Sequence, residues 1–412
     1  MTDSREDTAC RKPDFSHGCS MPSENTKKKG KYKVVIVAGE ASGDLHGSNL
    51  IRELRQLEPN LEVKGIGGNR LREAGVNLLV HVNEMAVVGL TEVLFRLRFI
   101  LGVFRKLKTD FRSDKPDLLI LIDYSGFNLP LAKAAKKEGI QILYYISPQV
   151  WASRKGRINT IRKTVDKMAV ILPFEPAIYA KKGVEAIFVG HPLLDSVRTQ
   201  YTRDEALRHF RLEEGKKIIA ILPGSRPGEV KTLLPIMLKT ASILKPSFPD
   251  LQFVLPLANT LNPEAISDMV GRFALDIRIV RETYDAIRIA DAAMVASGTA
   301  TLETALLETP MIIVYKVSEL TYQIGKRFVY IDQIGLVNII AGKSIVPEFV
   351  QGAANPKDMA RAISDILTDH RKKTAMKGEL KKIRSILGQP GGAKRAAQIA
   401  YKMLTSVPKS QS

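Results

Sequence analysis

Short runs of aliphatic residues recur along the chain. Glycine, proline or a small polar turn bounds most of them, and the spacing leaves room for a helix between one run and the next. Lys33–Ala38, Leu61–Lys64, Pro116–Ile122, Gln141–Ile146, Met168–Leu172 and Ala186–Val189 read as one set of strands. Ile218–Leu222, Leu251–Pro256, Ile277–Val280, Ala292–Ala296 and Met311–Tyr315 read as a second set. Several are uninterrupted rather than alternating, which suits strands covered on both faces, as in a parallel sheet. The predicted class is therefore α/β, with two Rossmann-like doubly wound domains facing across a cleft. Gly190-His191-Pro192 reads as the hinge between them. The expected division is a disordered basic tail over 1–30, an N-terminal domain over 31–190, a C-terminal domain over 191–370, and basic helices over 371–412 that pack back toward the N-terminal domain.

Candidate chemistry gathers where strands give way to helices, because ligands of open parallel sheets collect beyond the carboxyl ends of the strands. Ile218–Leu222 runs into Pro223-Gly224-Ser225-Arg226-Pro227-Gly228-Glu229. There, glycines permit close backbone approach, a helix opens with free N–H groups, and Arg226 could grip a phosphate in a fork. An ordinary turn with a solvated arginine fits that segment equally well. The turn Ser297-Gly298-Thr299 leads to Glu303 one helical turn later. Amides and hydroxyls there suit a diphosphate and the carboxylate suits ribose, while plain N-capping is the simpler reading of the hydroxyls. In the first domain, Gly39, Glu40, Ser42, Gly43 and Asp44 form a similar loop, and Gly65-Ile66-Gly67-Gly68 a second. Asp123 ends an apolar strand, where a carboxylate is placed for acid–base work. Trp151, the only tryptophan, falls on a loop at the same edge.

Met85–Phe111 breaks the pattern. On a helical projection Leu90, Leu94, Leu97, Leu101 and Phe104 make a core stripe. Opposite them Phe95, Phe99 and Val103 stand among Arg96, Arg98, Arg105 and Lys106. Apolar groups ringed by cations suit a helix in the headgroup layer of an anionic membrane or the wall of a greasy substrate groove. A core helix covered by another part of the protein fits as well.

Composition narrows the classes. The 412 residues suit two domains, and 45% apolar with 25% charged residues makes the chain globular. A net charge of +19 predicts anionic partners. The two cysteines, Cys10 and Cys19, fall in the polar first thirty residues and offer no disulfide framework. The sequence predicts no signal peptide and no membrane-spanning run. It contains no Walker loop, H-E-x-x-H, C-x-x-C or Asp-x-Asp pair, so neither a metal nor another cofactor is expected.

The ordered set G-E-A-S-G-D (Gly39–Asp44), I-D-x-x-x-F-N (Ile122–Asn128), S-P-Q-V-W-A (Ser147–Ala152), G-H-P-L-L-D (Gly190–Asp195), L-P-G-S-R (Leu222–Arg226) and A-S-G-T-A-T-L-E (Ala296–Glu303) resembles the lipid-A-disaccharide synthases. These are inverting glycosyltransferases of the GT-B fold, and the resemblance runs from Lys33 to about Leu404. It implies transfer of 2,3-diacylglucosamine from its UDP derivative to 2,3-diacylglucosamine 1-phosphate, at the cytoplasmic surface of the anionic inner membrane. It also implies Asp123 as general base and Arg226 as diphosphate contact, with Ser297, Gly298, Thr299 and Glu303 at the nucleotide. Gly39, Ser42, Gly43, Asp44, Asn128, Trp151, Gly224, Ser225, Glu229 and Asn338 join the expected substrate-binding set. Phe95, Phe99 and Val103 with Arg96 and Arg98 form the expected acyl or membrane face.

Two positions depart from the family pattern: Gly126 replaces a second carboxylate and Ser153 a second tryptophan. Gly126 concentrates the assignment on Asp123 but leaves Glu40 and His46 as alternative bases, with Asp44 as a further candidate. A UDP-sugar epimerase or another glycosyltransferase on the same fold is the nearest rival. A nucleic-acid-binding role is disfavoured by an aromatic content of 6%. Acyl-chain length and oligomeric state stay open, a homo-oligomer included.

Overall fold

The computed structural model describes residues 32–85, 93–152, 156–319, 322–323 and 333–406, with the side chains of 93–97 left aside. The tail expected over 1–30 and Ser153 fall outside these residues, as do the side chains of Phe95 and Arg96.

Two wholly parallel sheets organise the chain. The first runs β3-β2-β1-β4-β5-β6-β7, with β1 Lys33–Ala38, β2 Glu62–Gly67, β3 Asn77–His81, β4 Leu118–Ile122, β5 Gln141–Tyr145, β6 Lys167–Val170 and β7 Ala186–Phe188. The second runs β10-β9-β8-β11-β12-β13, with β8 Ile218–Leu222, β9 Gln252–Pro256, β10 Ile277–Val280, β11 Ala292–Ala296, β12 Met311–Tyr315 and β13 Glu348–Val350. Each sheet has apolar cores on both faces, which is why its central strands β4, β8 and β11 are buried along their whole length. In each sheet the strand order reverses beside the first strand, β1 or β8. The carboxyl ends of β1 and β4, and of β8 and β11, therefore flank a crevice.

The basic C-terminal region divides between the halves. Helix His370–Ile386 buries Leu380 and Ile383 in a core of the second sheet. Helix Gly392–Ser406 lays Ala396, Ala397, Ala400, Met403 and Leu404 on the first sheet, against helix Ala41–Leu57. Between them the Arg395 guanidinium donates to the carbonyls of Val189, Gln389 and Pro390, and the Gly391 N–H donates to Asp195 at 2.8 Å. The returning chain is thereby tied to the Gly190 hinge. His191 is buried there, its N–H bonded to the Leu387 carbonyl at 3.0 Å.

Several expectations need correction. Gly65-Ile66-Gly67 is not an anion loop but the end of β2. A Cβ on Gly65 would stand 1.8 Å from the Ile36 carbonyl oxygen, so glycine is required by the close approach of strands. Of the segment expected as a helix over Met85–Phe111, residues 86–92, Leu90 among them, and the side chains of Leu94 and Leu97 lie outside the described residues; Met85 ends helix Val82–Met85, and helix Val93–Ser113 covers the remainder. In that helix Val103, Leu107 and Phe111 are buried against the first sheet, with Ile100 and Phe104 partly so. Val103 therefore belongs to the core stripe and not to the outward face. Leu101 moves the other way, at 46% exposed, and joins Phe99 at 38% among the exposed Arg98, Arg105 and Lys106. Residues 103, 107 and 111 keep the four-residue spacing of one helical face, and 101 lies off it.

This exchange sets an expected outcome. Val103→Ser removes a buried branched side chain and buries a hydroxyl, and should lower the unfolding free energy by about 2 kcal/mol or more. Phe99→Ser should stay within about 0.5 kcal/mol. Urea denaturation of the two variants checks both, and equal losses would show that Phe99 is covered.

Candidate functional site

The second sheet opens a cavity of about 630 Å³ at its carboxyl rim. Its walls come from five places: the turns after β8, β9 and β11, the start of helix Thr283–Ile289 and the segment around Arg198 that follows the hinge. Gly224, Ser225, Arg226, Glu229, Ser297, Gly298, Thr299 and Glu303 all line it, so eight residues singled out in sequence converge.

The local reasons are specific. Gly224 has φ 108°, a backbone conformation that strains any residue with a side chain, and a Cβ there would also come within 2.7 Å of Glu229 Oε2, so this position favours glycine. Pro227 begins the long helix Pro227–Leu244, where a missing N–H costs nothing. The Arg226 side chain is 76% exposed and its Nη1 meets Glu229 Oε1 at 3.2 Å. So open an ion pair contributes little to stability, which leaves the guanidinium available to a phosphate. The Ser297 hydroxyl donates to the Ile334 carbonyl at 3.0 Å and retains acceptor capacity. Glu303 Oε1 accepts from the Tyr284 hydroxyl at 3.3 Å. Burial raises the pKa of Glu303, and burial together with that carboxylate raises the Tyr284 phenol to about 12. Arg198, Arg281 and Tyr284 carried no sequence signal. They reach the cavity from the hinge and from a helix start distant in sequence, and Asp285 fixes the hinge by accepting the Gln200 and Tyr201 N–H groups at 2.9 Å each.

A second group gathers at the carboxyl rim of the first sheet, outside this cavity. Asp123 ends β4 and stands with Tyr124 in left-handed backbone. The Tyr124 ring packs on Gly39 so closely that a Cβ there would lie 2.2 Å from it, which joins the two loops. Burial and the nearby Glu40 raise the Asp123 pKa, opposed by a backbone N–H and the Arg157 guanidinium. Arg157 Nη1 also donates to Ser125 at 2.5 Å. Glu40 is exposed at the start of helix Ala41–Leu57. His46, one turn in, is pushed down to about 4 by burial. His191 is held at about 4 by burial and by His46. Ser42 is exposed, whereas Gly43 is buried against Ala38 and Ile122. Gly126 has nothing within 4 Å of a Cβ, so its lack of a carboxylate has no steric cause.

Three expected substrate contacts are engaged with backbone atoms instead. Asp44 is buried and its carboxylate accepts the N–H groups of Gly68, Arg70 and Leu71 at 2.6, 3.1 and 3.1 Å, capping helix Asn69–Glu73. Asn128 is fully buried and donates to the Ile122 and Asp123 carbonyls at 3.1 and 2.9 Å. Asn338, also fully buried, donates to Val346 O and Glu348 Oε1 and accepts from the N–H groups of Ile345 and Val346. Trp151 packs edge-on against Phe174, with ring centres 5.1 Å apart. Asp44, Asn128 and Asn338 thus bond backbone atoms, whereas Trp151 remains partly exposed. Among the described residues no group of three or more His, Cys, Asp or Glu is arranged to hold a metal ion.

Comparison with known proteins adds independent findings. A family model described as lipid-A-disaccharide synthetase matches residues 34–403. The lipid-A-disaccharide synthase of Syntrophus aciditrophicus is 54% identical, over 92% of this chain and 98% of its own length. That of Geobacter sulfurreducens is 46% identical over 93% and 99%, and that of Coxiella burnetii 40% over 90% and 99%. Among solved structures, a calicheamicin glycosyltransferase has a TM-score of 0.60 at 13% identity, covering 92% of this chain and 99% of its own. A Neisseria meningitidis UDP-GlcNAc 2-epimerase bound to UDP-GlcNAc has 0.58 at 12%, covering 92% and 100%. At such identities the structural likeness carries the fold alone, the two-domain α/β arrangement called GT-B.

The reassignment of Asp44 has a direct check. Asp44→Ala would leave three N–H groups without their acceptor, two of them buried. It should reduce stability by about 2–3 kcal/mol in chemical denaturation, with ligand affinity of the folded fraction unchanged. A variant as stable as the parent would return Asp44 to the ligand-facing set.

Proposed function

The chain belongs to the lipid-A-disaccharide synthase family, and on that premise we propose how its residues carry out the reaction. It is a GT-B glycosyltransferase of lipid A disaccharide synthesis. The donor is UDP-2,3-diacylglucosamine and the acceptor 2,3-diacylglucosamine 1-phosphate; inverting transfer gives the β-linked tetraacyl disaccharide 1-phosphate and UDP. The observation that carries this reading is the convergence of Arg226, Ser297, Thr299 and Glu303 on one cavity whose volume suits a nucleotide. Arg226 neutralises the diphosphate, the Ser297-Gly298-Thr299 turn follows its oxygens, and Glu303 accepts from ribose.

Asp123 is the base. As the acceptor 6-hydroxyl oxygen attacks the anomeric carbon, its proton passes to the Asp123 carboxylate, and the bond to UDP breaks with its electron pair leaving on the β-phosphate. The partial burial of Asp123 and its neighbour Glu40 favour this choice, because a carboxylate with a raised pKa is a stronger base. His46 is a poor alternative, because it is half-buried and desolvation weakens it as a base.

Asp123→Asn should lower turnover by about 100- to 10,000-fold with UDP affinity nearly unchanged. Arg226→Ala should weaken UDP binding by about 10- to 150-fold and slow transfer, and Arg226→Lys should not restore the fork. Mass-spectrometric detection of UDP release and calorimetric titration with UDP separate the two. Wild-type turnover in the first variant, or unchanged UDP affinity in the second, would remove that residue from its role.

We also place the exposed Phe99, Leu101, Arg98, Arg105 and Lys106 at the inner-membrane surface. No helix among the described residues is long and apolar enough to cross a membrane. Contact at this face would bury apolar side chains and attract acidic headgroups, and salt screens only the second effect. Flotation with acidic vesicles should therefore leave a salt-resistant fraction that Phe99→Ser with Leu101→Ser removes. Binding abolished entirely by salt in the parent chain would sink the apolar contribution.

A further inference from the structure

Three non-glycine residues at the carboxyl rim of the first sheet adopt left-handed backbone: Asp123 (φ 43°), Tyr124 (φ 38°) and Ile146 (φ 61°). They are directly linked, since the Asp123 N–H donates to the Ile146 carbonyl at 3.3 Å. Isoleucine is a true outlier in this region, because its branched Cβ crowds the backbone, so surrounding contacts must hold it there.

The next residue shows how it is held. Ser147 is buried and its hydroxyl donates to Glu175 Oε1 at 2.6 Å, while Glu175 Oε2 accepts the Leu172 N–H at 3.0 Å. Glu175 is 1% exposed, and no step of the transfer proposed above uses it. The buried indole N–H of Trp151 has no hydrogen-bond partner among the described residues, yet lies near enough to favour the ionised form of the same carboxylate. The Tyr179 phenol is the titratable group that faces it.

We infer that Glu175 is a positioning residue for glycosyl transfer: its carboxylate fixes the strained Ile146–Ser147 turn and, through the Ile146 carbonyl, the backbone of Asp123. The inference rests on the reading of Asp123 as base. Burial pushes Glu175 up to about 7, opposed by Ser147 and the backbone N–H of Leu172, so the group titrates near neutrality. Protonation puts a hydrogen on an oxygen that now accepts one, and the turn loosens as pH falls through that range.

Because the chain has a single tryptophan, Trp151 emission reports on this turn without any assay of turnover. Titrated through neutral pH, the full-length protein should show an emission transition that persists in Asp123→Asn and vanishes in Glu175→Gln. Glu175→Gln should also lower kcat by about tenfold with the KM for the UDP-sugar donor unchanged, as expected when alignment and not binding is lost. Ser147→Ala removes one of the two bonds, should lower kcat in the same direction, and serves if Glu175→Gln does not fold. A flat emission profile in the parent protein, a transition unchanged in Glu175→Gln, or wild-type kcat in Ser147→Ala would overturn the inference. Full turnover in Asp123→Asn alongside the expected emission behaviour would instead remove Asp123 as the base and leave the hold of Glu175 on the turn supported.

Discussion

Every strand in both sheets runs the same way, and this constraint governs the rest. Parallel strands must be joined by crossovers, so each sheet is covered on both faces and its loops are collected on two rims. The carboxyl rims then gather side chains that are far apart in sequence. In the second half, turns after β8 and β11 meet a helix start and the hinge in one cavity. In the first half, the loops after β1, β4 and β5 come together so tightly that Gly39 admits no side chain beneath Tyr124.

The rims depend on buried and half-buried polar groups that satisfy backbone atoms. Asn128 fastens the end of β4, Asp44 the turn after β2, Asn338 and Glu348 the approach to the Ser297 turn, and Glu175 the turn after β5. An unpaired buried N–H or carbonyl is costly, so these groups are as constrained as any that touch substrate. They also allow Asp123 and Tyr124 to keep an unfavourable backbone geometry in the folded state.

Much of the fold was legible because the central strands are unbroken apolar runs. The two strands missed, β3 and β13, are sheet edges. Asn77–His81 is half exposed with polar ends, and Glu348–Val350 is three residues long, so neither shows the pattern of a doubly covered strand. The cavity residues were legible where glycine and small residues mark a strand-to-helix turn. Polar residues such as Asp44, Asn128 and Asn338 were misassigned because sequence alone does not tell whether a side chain turns toward its own backbone or outward. Val103 and Leu101 trade places relative to the sequence pattern because the face that packs on the sheet is the four-residue series Val103, Leu107 and Phe111, and Leu101 lies off it.

The return of helix Gly392–Ser406 to the first sheet also imposes an order of events during synthesis. The N-terminal half emerges from the ribosome first, yet part of one face is covered by helix Gly392–Ser406, which is made only after the strands of the second sheet. Until that helix arrives, apolar side chains around Val34, Leu50 and Leu54 lack their partner and offer a surface for aggregation. The first half therefore cannot finish folding while the second is being made. A chain that stops before Gly392 leaves the first sheet uncovered there although every strand of the second has been made.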